Sequence, residues 1–255
     1  MSLEENVKKV REIAKKEADS PSIVHDLDHL RRTSQGAKWL VKVQGGDEKE
    51  QLLAEAAGWL HDIKRPLTNE VDHAQASAEK AEEVLKRAGF EKEDIKRVVR
   101  AVRHHREKRN WKSPLHSSIY ISDKLFEGMG AFIILRRCTW VGESPDFEGE
   151  EPLKANIRWY AHRMEKHGKD EIPEKFSELA DYQFKWQNDF LQSLKEEKDH
   201  ALRIMNYCYN TEKTDFERII RDFEPQSERG RTIKKEAVRY IDGKLFEKFE
   251  KIIKD

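Results

Sequence analysis

The chain has little of what usually staples or punctuates a fold. Cysteine occurs twice in 255 residues, at Cys138 and Cys208, with no CxxC. That excludes a disulfide-built scaffold. With no secretory leader in view, a reduced, intracellular and therefore cytoplasmic setting is expected. Glycine (12) and proline (7) are scarce and fall between periodic segments, as helix punctuation does. A surplus of either charge is also missing, since basic and acidic residues both count 49. A generic nucleic-acid binder usually carries excess base, so that class is disfavoured. No run reaches the ~18 apolar residues of a membrane span. The longest apolar run, AFIILRRCTWV (131–141), is broken by two arginines, and Cys138 within it reads as core.

Nucleotide and hydrolase signatures are missing too. There is no GxxxxGK[ST] and no GxSxG. GMGA (128–131) has no strand before it and reads as part of a helix. His162 and His167 are five apart, off one helical face, which fits a surface and not a helical zinc protease.

What the chain does have is charge, at 38 % of residues, and helical periodicity nearly throughout. An amphipathic helix is expected over 4–17, with Val7, Val10 and Ile13 on one face. Further helices are expected from His29 to Val43, over about 49–62 ahead of Pro66, from His73 to Gly89, and over about 92–105. A polar loop containing Asn110 and Pro114 leads to a sixth helix over about 117–141. The acidic stretch ESPDFEGEEP (143–152) reads as a surface loop, followed by long helices over about 153–167 and 173–198. Two or three more are expected in 199–255, one at TDFERIIRDF (214–223) and a final one over about 231–253. The aromatics from Trp159 to Phe190 are spaced as helix faces, suited to core or dimer packing, so a homo-oligomer stays open. No run alternates as a strand would, and the class is all-α.

Seven metal-capable side chains follow in order in the first half: His29, the pair His61-Asp62, His73, the pair His104-His105, and Asp123. His61-Asp62 closes an apolar stretch, LLAEAAGWLHDIKRP (52–66). A buried helix end that delivers an imidazole and a carboxylate together must satisfy both, and a divalent cation does so. Separate helices can hold one ion when a bundle turns such residues inward. Alone, each has a plainer reading: a surface histidine for His29, a helix-end histidine beside a capping acid for His61-Asp62, a solvated acid for Asp123.

The order His … His-Asp … Asp is carried by HDLDHLRR (25–32), WLHDIKRP (59–66), DHAQASAEKAEEVL (72–85), AVRHHREK (101–108) and YISDKLFEGMGAFIILR (120–136). It resembles the HD superfamily of metal-dependent phosphohydrolases. The likeness continues more faintly through KFSELADYQFKWQNDFLQSL (175–194) and stops near 198. It implies an HD-type helical catalytic domain over 1–198 and a C-terminal helical extension, 199–255, of unassigned role. It implies that His29, His61, Asp62 and Asp123 ligate a divalent metal ion. Mn, Fe, Ni, Co, Zn and Mg are not distinguished.

His73, His104 and His105 stand where dinuclear family members add ligands, so the resemblance leaves one or two metals per chain. The other reading puts these three in a phosphate pocket with Arg103, Arg106, Lys108 and Arg109. Two departures weigh against a second metal: the spacing from Asp62 to His73 is short, and no Gly-Tyr-Pro follows His105. Arg65, Lys64 and Arg32 occupy positions where the family often has a basic residue, suited to charge on phosphate oxygens. The implied function is hydrolysis of a nucleotide or another small phosphoester by metal-activated water. The alternatives are a dinuclear phosphodiesterase acting on cyclic or linear oligonucleotides, and a non-catalytic nucleotide-binding or interaction module.

Overall fold

The computed structural model describes residues 2–20, 22–65, 72–108, 111, 113–166, 168–212 and 215–254. Pro66, Arg109, Asn110 and His167, singled out above, lie outside the described residues. Among the described residues there are thirteen α-helices and no β-strand. The all-α expectation holds. The chain divides into two compact units, residues 1–123 and 124–255.

The first unit contains α1 (Leu3–Glu17), α2 (Leu27–Val43), α3 (Glu48–Leu60), α4 (His73–Ala88), α5 (Lys92–Arg103) and most of α6 (Pro114–Leu125). Local chemistry explains most helix starts. Ser2 and Glu5 form a reciprocal capping box on α1. Asp26, Asp47 and Asp72 cap α2, α3 and α4 by accepting from backbone N–H groups. Gly89 ends α4 at φ +90°, a left-handed conformation that favours glycine. Val7 and Val10 of α1, Leu53 and Leu60 of α3, Leu85 of α4 and Val102 of α5 share one buried core.

Close contacts and hydrogen bonds fix α2, α3, α4 and α6 to one another. Gly58 of α3 meets the α2 backbone so closely that an added Cβ would lie 2.3 Å from Ser34 Cα. Beside this crossing, Ser34 Oγ donates to the Glu55 carbonyl at 2.9 Å. Ser122 Oγ of α6 donates to the Thr33 carbonyl of α2 at 3.0 Å. The turn after α3 is held from two sides. Buried Ser77 of α4 both accepts from Lys64 N and donates to Lys64 O, each at 3.2 Å. Asp19 bonds Ile63 O and Arg65 N through its backbone, both at 3.1 Å.

The second unit contains α7 (Gly130–Glu143), α8 (Pro152–Lys166), α9 (Ser177–Lys195), α10 (Asp199–Asn210), α11 (Phe216–Asp222), α12 (Glu228–Ile241) and α13 (Phe246–Lys254). Helix α7 packs against α8, α9, α10 and α12. Tyr160, Phe176 and Phe190 are buried, and the Tyr160 and Phe190 rings lie 5.5 Å apart, so these aromatics serve packing. Cys138 and Cys208 are buried, and neither is in a disulfide among the described residues. His162 is exposed.

Two helix expectations are corrected. The single helix over 117–141 is two, α6 and α7, and GMGA marks the break. Gly130 sits at φ +90°, and an added Cβ would meet the Gln183 side chain at 2.7 Å. The final helix over 231–253 is also two, α12 and α13, parted around Gly243 at φ +71°. Apolar residues stand on both sides of each break, so periodicity alone does not show it. The described residues of 199–255 accordingly hold four helices, where two or three were expected.

Candidate metal centre

Helix ends deliver the polar cluster of the first unit. His29 lies in the first turn of α2, His61 and Asp62 in the turn after α3, and His73 opens α4. His105 follows α5, and Asp123 lies in the last turn of α6. His29, His61 and Asp123 form one metal-capable group, with ligand atoms within 4.8 Å of one another. Asp62, His73 and His105 form a second on the same criterion.

Asp62 faces both groups. Its Oδ2 is 3.7 Å from His29 Nε2 and 3.7 Å from His61 Nε2. Its Oδ1 is 3.3 Å from His105 Nε2 and 3.6 Å from His73 Nε2. The two imidazoles of the first group approach to 3.1 Å between Nε2 atoms. His29 and His61 have no exposed surface, and Asp62 and His105 retain 2 % each.

The ring tautomers follow from the backbone. His61 Nδ1 donates to the Gly58 carbonyl at 2.8 Å, and His105 Nδ1 donates to the Val102 carbonyl at 2.7 Å. A carbonyl only accepts, so each neutral ring turns an Nε2 lone pair inward. These carbonyls orient imidazoles as outer partners do in metal sites. Buried lone pairs therefore face a carboxylate, and Asp62 Oδ1 has no hydrogen-bond partner among the described residues. Acceptors crowded together in a dry site are costly without a cation to satisfy them. The donor set thus fits a divalent metal of the kind that accepts nitrogen and oxygen.

Protonation states agree. Burial pushes the His61 imidazole down to about 3, although Asp62 pulls the other way. Burial also takes His73 down to about 4, again against Asp62. Burial alone would raise Asp62, yet Arg65 and His61, with His105 and His29, hold its carboxyl well below the usual range. Neutral imidazoles and an ionised carboxylate are the forms that bind metal.

The basic candidates separate. Arg65 Nη1 donates to Asp62 Oδ2 at 2.5 Å and to His73 Nε2 at 3.2 Å. Lys64 Nζ turns to Asp19 Oδ2 at 3.3 Å. Arg32 is buried at 1 % exposure, and its charge opposes the burial that raises the Asp26 carboxyl. Of the pair 104–105, only His105 joins a metal-capable group; His104 Nδ1 pairs with Glu107 at 2.8 Å. Gly58, Asp19 and the bonding role of Ser77 were not singled out from the sequence. A glycine inside an apolar helix three residues before His61 was the one available signal.

Residues 26–137 match the family model described as the HD domain. A search of curated proteins found no significant match. Two solved structures share the fold. One is Bacillus subtilis YpgQ, determined in complex with ADP, at TM-score 0.60 and 17 % identity, covering 79 % of this chain and 99 % of its own. The other is the Lactobacillus plantarum protein LpR71, at TM-score 0.56 and 18 % identity, covering 77 % of this chain and 98 % of its own. Among the described residues, no helix is long and apolar enough to cross a membrane.

Proposed function

We propose that this chain, in which residues 26–137 match the HD domain, is a metal-dependent phosphohydrolase acting on a nucleotide. The observation that carries the reading is the inward set of imidazole lone pairs around a buried, ionised Asp62 whose Oδ1 has no hydrogen-bond partner among the described residues. His29, His61, Asp62 and Asp123 would hold the ion. When bound, a divalent cation lowers the pKa of water and polarises a phosphoryl oxygen.

The chain's own residues do the rest. His61 and His105 aim Nε2 at the site because backbone carbonyls accept their Nδ1 protons. Asp62 stays ionised under the influence of Arg65. Arg65 is the cation placed to meet phosphate. Its side chain is 27 % exposed, and among the described residues only Nη1 is engaged, which leaves Nε and Nη2 to donate to phosphoryl oxygens.

The ADP bound by YpgQ on a like fold supports a nucleotide over other phosphoesters. The test is a metal-supplemented screen of nucleoside mono-, di- and triphosphates alongside cyclic dinucleotides. Release of phosphate or pyrophosphate from a mononucleotide, dependent on added metal, is the expected result. Turnover of cyclic dinucleotides alone would replace it with the phosphodiesterase reading, and binding without turnover with the interaction-module reading.

A further inference from the structure

The second group raises a question of its own: what satisfies Asp62, His73 and His105. His73 Nε2 has one lone pair in the plane of the ring, and Arg65 Nη1 takes it at 3.2 Å. The same nitrogen donates to Asp62 Oδ2 at 2.5 Å. One end of the guanidinium therefore links a residue of the second group to the carboxylate that both groups share. A lone pair committed to an N–H donor cannot also bind a metal, so Arg65 and a second ion compete for His73. With Arg65 in place, the second group is reduced to His105 Nε2 and Asp62 Oδ1, which is too few ligands for a tight site.

Charge points the same way. Two carboxylates, Asp62 and Asp123, serve the six residues of the two groups. One divalent ion plus Arg65 brings three positive charges to them. Two ions plus Arg65 would bring five, in a setting where His29 and His61 have no contact with solvent. Buried charge without compensation is strongly disfavoured.

We propose that Arg65 is the resident cation of the second group: it holds His73, limits the chain to one metal ion, and must leave before a second can bind. This rests on the metal-binding reading above. It makes Arg65 a determinant of metal stoichiometry in addition to a phosphate contact.

Elemental analysis of the full chain after equilibration with Mn2+ and gel filtration tests it, with spin–spin coupling in the Mn2+ resonance spectrum as a second readout. Wild type is expected to retain one ion with an uncoupled spectrum. Arg65→Ala, and Arg65→Met, which keeps the apolar stem, are expected to retain two with a coupled spectrum. Arg65→Ala combined with His73→Ala should return to one. Two ions in wild type, or one ion in both Arg65 variants, overturns the proposal while leaving the metal-binding reading standing. No retained metal in any form overturns both.

Discussion

A Cβ on Gly58 would lie 2.3 Å from the Ser34 Cα and 2.7 Å from the Ser34 nitrogen. This closeness lets α2 and α3 bring His29 and His61 within 3.1 Å of each other. Backbone cannot retreat as a flexible side chain can. Gly58→Ala is therefore expected to destabilise the protein by about 1–3 kcal/mol or more, as overpacking does. It should also weaken metal binding by moving His61 off His29. Denaturant unfolding and a metal titration check this, and unchanged values in both would show that the crossing is not what places the histidines.

Ser77 carries a second expectation. Its hydroxyl bonds both the N–H and the carbonyl of Lys64. Ser77→Ala leaves those backbone groups unpartnered, at a cost of about 1–3 kcal/mol. Since the clamped turn carries Asp62 and Arg65, metal affinity should fall by about tenfold or more, the scale of outer-partner losses. Calorimetric metal titration of a folded Ser77→Ala sample reads this directly. Wild-type affinity in that sample would remove Ser77 from the site's support.

The metal-free protein should be sensitive to acid. Unfolded imidazoles titrate near 6.5, whereas His61 and His73 resist protonation down to about 3 and about 4 in the fold. Between those values the unfolded chain binds more protons, so acid favours unfolding. This contribution is fully present above about 6.5 and is lost progressively as pH falls through the folded values. Asp62, held low, acts in the same direction below its ordinary 3.8. Unfolding midpoints of chelator-treated protein at pH 7.5, 6.0 and 5.0 should fall in that order. A flat series would mean the imidazoles are not held neutral.

Much of this arrangement is legible in the residues alone, and the limits have physical causes. Aspartate caps mark the starts of α2, α3 and α4, and the ordered His and Asp residues mark what the bundle gathers. Periodicity cannot see a break with apolar residues on both sides, which is why α6–α7 and α12–α13 read as single helices. Nor does it reveal that Arg65 folds back onto His73 while Lys64 turns to Asp19. Those choices depend on how Ser77 and Asp19 pin the turn across 13 and 45 residues of chain. The adjacent pair His104-His105 reads as two equivalent candidates. The end of α5 separates them, sending one to Asp62 and the other to Glu107.

Asp62 meets both groups, so its removal probes the whole cluster at once. Metal content and mononucleotide turnover should be measured on the same preparations of wild type and Asp62→Ala, each shown to be folded by circular dichroism. The expected result is that wild type retains metal and hydrolyses the nucleotide, while Asp62→Ala loses metal and falls to the uncatalysed background. Wild-type turnover by a folded Asp62→Ala protein that keeps its full metal content would contradict it.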